Sequence, residues 1–159
     1  MNNHAVLLYI DATVRVRAAV AGATGYAGMT AVNLLARHPH AELAQLTSRS
    51  LAGKPYASAF PLLEADGVFS KEPDARAVDV VFSCLPHNEA AGRVAAWLDA
   101  GARVIDMSAD FRLHDPSLYL RWYRQEHPRP DLLPKAVLGL PELHGDEIKP
   151  ARLVAVPGC

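Results

Sequence analysis

Three glycines spaced three apart, Gly22, Gly25 and Gly28, stand between the apolar run Ala18-Ala19-Val20-Ala21 and a stretch of helical periodicity. No other feature restricts the fold as tightly. A strand must end there, turn sharply and lead into a helix, and glycine permits that turn because it has no Cβ. The same bare backbone can approach a pyrophosphate, whose charge the free amides and dipole of a helix N-terminus attract. Gly22-Ala23-Thr24-Gly25-Tyr26-Ala27-Gly28 therefore reads as a dinucleotide cradle opening a doubly wound parallel α/β sheet of Rossmann type. Its spacing departs from the commoner Gly-x-Gly-x-x-Gly, and glycine-rich turns without ligands are frequent. The strand-then-helix context carries the assignment.

The rest of the chain fits one such domain. Its 159 residues suffice for a single core. Sixteen basic against 17 acidic residues leave a formal charge of −1, which gives no bulk attraction to nucleic acid or an anionic membrane. A small-molecule ligand held locally is expected instead. The seven histidines show neither His-Glu-x-x-His nor a paired Cys/His spacing, so no metal site is expected. Cys84 and Cys159 are too few for a disulfide framework and fit a reduced, cytoplasmic protein. Residues 1–14 contain a short apolar stretch at 5–10, with Asp11 after it and no basic leader. They read as an extension before a domain at 15–159, neither signal peptide nor membrane span.

A first strand is expected over 14–21, then a helix whose stripe of Ala27, Ala31, Leu34 and Leu35 ends at His38-Pro39. A second strand over 42–46 delivers Thr47-Ser48-Arg49-Ser50 about 20 residues beyond the glycines, where a Rossmann fold meets the adenosine ribose. No carboxylate stands in that segment. A ribose 2′-hydroxyl wants Asp or Glu, whereas a 2′-phosphate wants hydroxyls and a guanidinium, so Ser48 and Arg49 point to NADP(H). The alternative is a polar solvated loop.

Residues 51–77 hold Gly53, Pro55, Pro61, Gly67 and Pro73 and read as a loop with one weak strand. A buried strand over 77–82 runs into Ser83-Cys84-Leu85-Pro86-His87-Asn88, a loop on the ligand side of a parallel sheet. Asn88 is expected to cap the next helix, with Ala91, Val94, Ala95 and Leu98 facing inward and Gly101 ending it. A strand over 103–107 leads to Asp106-Met107-Ser108-Ala109-Asp110-Phe111-Arg112, which reads either as groups that orient an anionic substrate or as a salt-bridged turn. Asp115-Pro116 starts a helix, residues 127–134 hold three prolines that break regular structure, and strands follow over 135–138 and 152–156. Short helical turns are expected over 143–148.

Taken together, Gly22-Ala-Thr-Gly-Tyr-Ala-Gly28, Ser83-Cys-Leu-Pro-His87, Asp106-Met-Ser-Ala-Asp-Phe-Arg112, Gly139-Leu-Pro-Glu-Leu143 and Pro157-Gly-Cys159 resemble the N-acetyl-γ-glutamyl-phosphate reductase family, within the wider semialdehyde dehydrogenase group. The resemblance runs over about residues 15–159 and implies a two-domain, NADPH-dependent enzyme of arginine biosynthesis. Such an enzyme reduces N-acetyl-γ-glutamyl phosphate to N-acetylglutamate semialdehyde and releases phosphate through a cysteine thioester. By motif, the nucleophile is Cys159, a residue type whose thiolate attacks readily and whose acyl adduct still accepts hydride. The resemblance also implies that Gly22, Thr24, Gly25, Tyr26, Ala27, Gly28, Ser48, Arg49, Cys84, Leu85 and Pro86 meet the cofactor and that Ser108 and Arg112 meet substrate.

Two residues depart from the family pattern. Val156 stands where the motif before the cysteine has an asparagine, and Leu138 where a tyrosine is common. The family's substrate domain and catalytic histidine are not in these 159 residues, so the expectation is a cofactor-binding half with little or no turnover. Self-association through the uncovered apolar surface is also expected. Two alternatives are a non-catalytic NADP(H)-binding Rossmann module and a related semialdehyde dehydrogenase acting on another acyl phosphate, such as aspartyl phosphate or a carrier-bound aminoadipyl phosphate.

Overall fold

The computed structural model describes residues 15–158. The 1–14 extension and Cys159 lie outside the described residues. In chain order the elements are β1 (Val16–Ala21), α1 (Tyr26–Leu35), β2 (Ala41–Leu46), β3 (Val80–Ser83), α2 (Ala90–Asp99), β4 (Arg103–Asp106), α3 (Pro116–Tyr123), β5 (Ala136–Leu138), α4 (Pro141–Ile148) and β6 (Leu153–Ala155). The strands form one six-stranded sheet in the order β2-β1-β3-β4-β6-β5, and every pairing is parallel. This is the Rossmann-type arrangement expected from the glycine turn.

Alternation along β1 separates two cores, because successive side chains of a strand point to opposite faces. Val20 packs with Val32 of α1, Leu46, Tyr56, Phe60 and Phe69, whereas Ala19 and Ala21 pack with Val81, Val94, Leu98 and Val104 on the α2 side. Val20, Val32, Val81, Val94 and Val104 are completely buried, and each such side chain contributes about 1.5–3 kcal/mol relative to exposure.

Several expectations need correction. The buried stripe of α1 is Gly28, Ala31 and Val32 with Leu35 half-buried, while Ala27 and Leu34 face solvent. The reason is steric: a Cβ on Gly28 would come within 2.1 Å of the Gly22 carbonyl oxygen, so the helix turns its bare residue toward the sheet. Residues 51–77 contain no strand, only a 3-10 turn at Tyr56–Ser58 and isolated bridges pairing Thr47 with Ser70 and Pro55 with Val68. Their aromatics close the α1-side core, with Tyr56 and Phe69 edge to face at 5.0 Å between centroids. The prolines of 127–134 do not exclude regular structure either, since a 3-10 helix spans Pro130–Lys135 and buries Leu132 and Leu133. Helix α4 starts two residues earlier than expected, at Pro141, and kinks at His144.

Candidate functional site

The strand order reverses between β1 and β3: the chain crosses from β1 to β2 on one side and then returns to pair β3 on the other. At such a switch point the loops leaving the two central strands splay apart and leave a crevice at their C-terminal ends. A cavity of about 420 Å³ lies there, lined by Gly22, Thr24 and Gly25 after β1, Ser48, Arg49 and Ser50 after β2, and Cys84, Leu85 and Pro86 after β3. Backbone bonds hold these loops in register across the rim. Ala23 N–H donates to the Thr47 carbonyl at 2.9 Å, Cys84 N–H to that of Ala21 at 2.9 Å and Met107 N–H to that of Ser83 at 2.9 Å.

The three glycines do different work. Gly22 has φ +78°, and a Cβ there would meet the Cys84 carbonyl oxygen at 2.8 Å, so both conformation and packing demand glycine. Gly28 is demanded by packing alone. Gly25 is demanded by neither: its φ is −79°, and the only nearby atom is the Gly22 oxygen at 3.5 Å. It lines the cavity and precedes α1 with no side chain capping the helix, so the first-turn amides have no acceptor within the helix. A glycine that its own fold does not need, beside free amides, fits the close approach of a pyrophosphate.

On the other wall Ser48 is buried, with its hydroxyl 2.9 Å from Thr24 Oγ1 and 3.3 Å from Ser50 Oγ. Arg49 reaches over the cavity and pairs with Glu89. Lys71, Glu72 and Arg93 complete this wall, and Arg93 pairs with Glu72. Sequence reasoning missed these four charged residues, Lys71, Glu72, Glu89 and Arg93. The absence of a carboxylate at 47–50 is local only, because the 71–72 loop and the start of α2 bring two carboxylates into the same cavity. The i, i+4 spacing of Glu89 and Arg93 was the available signal. Tyr26, 95% exposed, together with Ala27 and Gly28, does not line the cavity.

Cys84 is half-buried with its Sγ 3.5 Å from the Met107 sulfur. Burial, and secondarily Asp106, pushes its thiol up to about 12, so it is protonated at neutral pH and unsuited to nucleophilic attack. The loop it begins is set from outside. Asn88 adopts φ +71° and does not cap α2 with its side chain as expected; the buried Asp110 carboxylate instead accepts from the Asn88 amide at 2.9 Å and the Ala91 amide at 3.0 Å. The Tyr119 hydroxyl lies 2.9 Å from both Asp110 Oδ1 and Asn88 Oδ1, and burial followed by Asp110 raises its pKa. The Arg129 amide donates to His127 Nδ1, so Nε2 carries the proton and donates to the Asp110 carbonyl at 2.9 Å.

The remaining candidates, Ser108 and Arg112, are engaged internally. Ser108 Oγ donates to Asp106 at 2.5 Å and accepts from the Asp110 amide. Burial raises the Asp106 pKa despite that bond, and its other carboxyl oxygen and Ser83 Oγ have no protein partner. Arg112 donates from Nε to the Val156 carbonyl at 2.8 Å and from Nη2 to that of Met107 at 2.9 Å. It thereby fastens the segment leaving β6 to the loop leaving β4. Because all strands are parallel, Pro157 and Gly158 emerge at the same rim as Gly22 and Gly25. Among the described residues no group of three or more His, Cys, Asp or Glu could hold a metal, and no helix is long and apolar enough to cross a membrane.

Residues 17–151 match the family model described as semialdehyde dehydrogenase, NAD binding domain. This chain belongs to that family. Among curated relatives, this semialdehyde dehydrogenase domain is 51% identical over 143 residues to an N-acetyl-gamma-glutamyl-phosphate reductase of Dehalococcoides mccartyi, covering 90% of the chain and 42% of the relative. It is 48% identical over 149 residues to the enzyme of the same name from Pseudomonas savastanoi pv. phaseolicola, covering 91% and 43%. It therefore spans less than half the length of the curated relatives it matches. The crystal structure of aspartate semialdehyde dehydrogenase with NADP from Candida albicans has the same fold, with a TM-score of 0.65 at 23% identity over 91% of this chain and 43% of that one.

Proposed function

We propose that the domain binds NADPH and forms the cofactor half of an enzyme that reduces N-acetyl-γ-glutamyl phosphate to N-acetylglutamate semialdehyde with release of phosphate. The observation that carries this reading is the cavity at the β1–β3 switch point, where an otherwise unneeded glycine, Gly25, faces Ser48 and Arg49 across one crevice. Identity near 50% to relatives named for that activity supplies the substrate class.

In this reading Gly22, Thr24 and Gly25, with the amides of Tyr26, Ala27 and Gly28, receive the pyrophosphate. Ser48 and Arg49 take the 2′-phosphate, the guanidinium by a bidentate, charge-assisted contact. Cys84, Leu85 and Pro86 line the wall toward the dinucleotide's far end, the Cys84 thiol remaining neutral. NADPH supplies the hydride. The Cys159 thiolate displaces phosphate from the acyl carbon, forming a thioester and leaving inorganic phosphate; it departs again when that carbon is reduced to the aldehyde. Arg112 orients the strand exit that leads to Cys159, and Ser108 supports the same loop through Asp106 and Asp110. The reaction is that of a cytoplasmic biosynthetic enzyme acting on a small molecule.

Titrating NADPH and NADH by fluorescence tests the cofactor. Arg49→Ala should weaken NADPH about tenfold or more, the loss of one charge-assisted contact of about 1.5–3 kcal/mol, and leave NADH unchanged. Equal affinity of the parent chain for both cofactors refutes the assignment. A second reading, reduction of a carrier-bound aminoadipyl phosphate, is favoured by 49% identity over 146 residues to a Thermomicrobium roseum protein provisionally named LysW-L-2-aminoadipate 6-phosphate reductase. Assaying the protein with each acyl phosphate separates the two.

A further inference from the structure

The charged residues of the cavity wall form two pairs that share one helix. Glu89 immediately precedes α2 and pairs with Arg49; Arg93, one turn further along, pairs with Glu72. Both pairs line the cavity assigned to the dinucleotide. Glu89 does nothing else that is visible: its side chain caps no amide, and the amide-capping work at this helix start falls to Asp110.

We propose that Glu89 sets the cofactor selectivity of this pocket by competing with the 2′-phosphate for Arg49. The inference rests on the NADPH reading above and adds a residue that lies outside the Thr47–Ser50 segment. In the free chain the Glu89 carboxylate occupies the guanidinium that the phosphate needs. The Arg49 and Glu89 side chains are 56% and 42% exposed, and pairs of that kind are weak, so the exchange is easy. A phosphate of charge near −2 with more acceptor oxygens outbids a single carboxylate for a guanidinium, whereas a neutral 2′-hydroxyl does not. The released Glu89 has a second cation in reach, because Arg93 stands at i+4 on the same face with the acid N-terminal to the base, the favoured orientation. Arg93 would then be shared between Glu72 and Glu89. A 2′-hydroxyl, by contrast, finds Glu89 a ready acceptor. Glu89 thus narrows the preference for the phosphorylated cofactor, and its removal widens that preference.

The test uses 2′,5′-ADP and 5′-AMP, which differ only in the 2′-phosphate, measured by isothermal titration calorimetry. Glu89→Gln should raise the ratio of 2′,5′-ADP to 5′-AMP affinity about three- to fivefold, the return of one exposed ion pair. Glu72→Gln removes the same charge from the same wall without freeing Arg49 and should change the ratio less than half as much. Equal changes from the two variants, or no change from Glu89→Gln, overturn the proposal. Arg49→Ala, measured alongside, should abolish the preference for 2′,5′-ADP. If that preference survives, the NADPH reading falls and Glu89 with it; if it disappears while Glu89→Gln is inert, only the competition falls. Since Glu89 makes no capping bond, Glu89→Gln leaves the fold intact, which circular dichroism checks.

Discussion

The same substitution at two glycines three residues apart should have opposite consequences. Gly28→Ala places a Cβ 2.1 Å from the Gly22 carbonyl oxygen and 2.8 and 2.9 Å from Ala23 backbone atoms. Ordinary contact begins near 3.4 Å, so α1 must retreat by more than an ångström from the turn that follows β1. The obstacle is backbone, with no flexible side-chain end to give way, and the retreat loosens Ala31 and Val32 as well. Overpacking of this kind costs about 3 kcal/mol, and the better helix propensity of alanine returns about 1, leaving a net loss of about 2 kcal/mol. For a domain of this size that lowers Tm by roughly 4–8 °C. Gly25→Ala meets nothing closer than 3.5 Å at a φ that alanine adopts freely, so its stability should stay within about 1 kcal/mol of the parent, the cost of alanine at a helix cap. Its NADPH affinity should nevertheless fall about tenfold, since the added methyl stands where the pyrophosphate approaches. Urea denaturation and cofactor titration of both variants read out the four quantities. A Gly28→Ala protein as stable as the parent, or a Gly25→Ala protein that binds NADPH normally, refutes this division of labour.

Two further predictions concern the Asp110 cluster. Asp110→Ala strands the Asn88 and Ala91 amides, leaving the Tyr119 hydroxyl only Asn88 Oδ1 as acceptor, and should lower unfolding free energy by about 3 kcal/mol, with Asp110→Asn costing about half as much because one acceptor oxygen remains. Chemical denaturation measures both, and equal stability of Asp110→Ala and the parent counts against the cluster. Burial holds His127 below its usual pKa of 6.5, so on acidification the unfolded chain takes up this proton before the folded one. Stability should therefore fall as pH drops below about 6.5, and the urea midpoint should be lower at pH 5.5 than at pH 7.5. His127→Gln should shrink that difference. An unchanged pH dependence in the variant assigns the effect elsewhere.

What the sequence made legible follows from how local each signal is. The glycine turn, the parallel strands and the helix started by Asp115-Pro116 are set by neighbours in the chain, and the Asp115 carboxylate does accept the Ser117 amide. The phase of α1 was not legible, because it depends on the Gly22 oxygen meeting Gly28 across a turn, a contact that outweighs the position of Leu34. The core role of Tyr56, Phe60 and Phe69 was hidden for a similar reason: nothing near residue 56 in the chain announces that its hydroxyl will accept the Leu46 amide. Within the site, residues on the loops directly after β1, β2 and β3 were legible from their position, whereas Glu72 and Glu89 arrive from segments read as a loop with one weak strand and a helix start.

Because Asp110 shapes the 84–89 loop from about twenty residues downstream, the pocket is assembled out of order with respect to synthesis. A chain emerging from the ribosome completes β1, β2 and their loops early, yet the third wall cannot settle until Asp110, Tyr119 and His127 have followed it. Nascent chains arrested shortly before residue 110 should thus be cut by protease around Asn88, and those arrested well past residue 129 should resist.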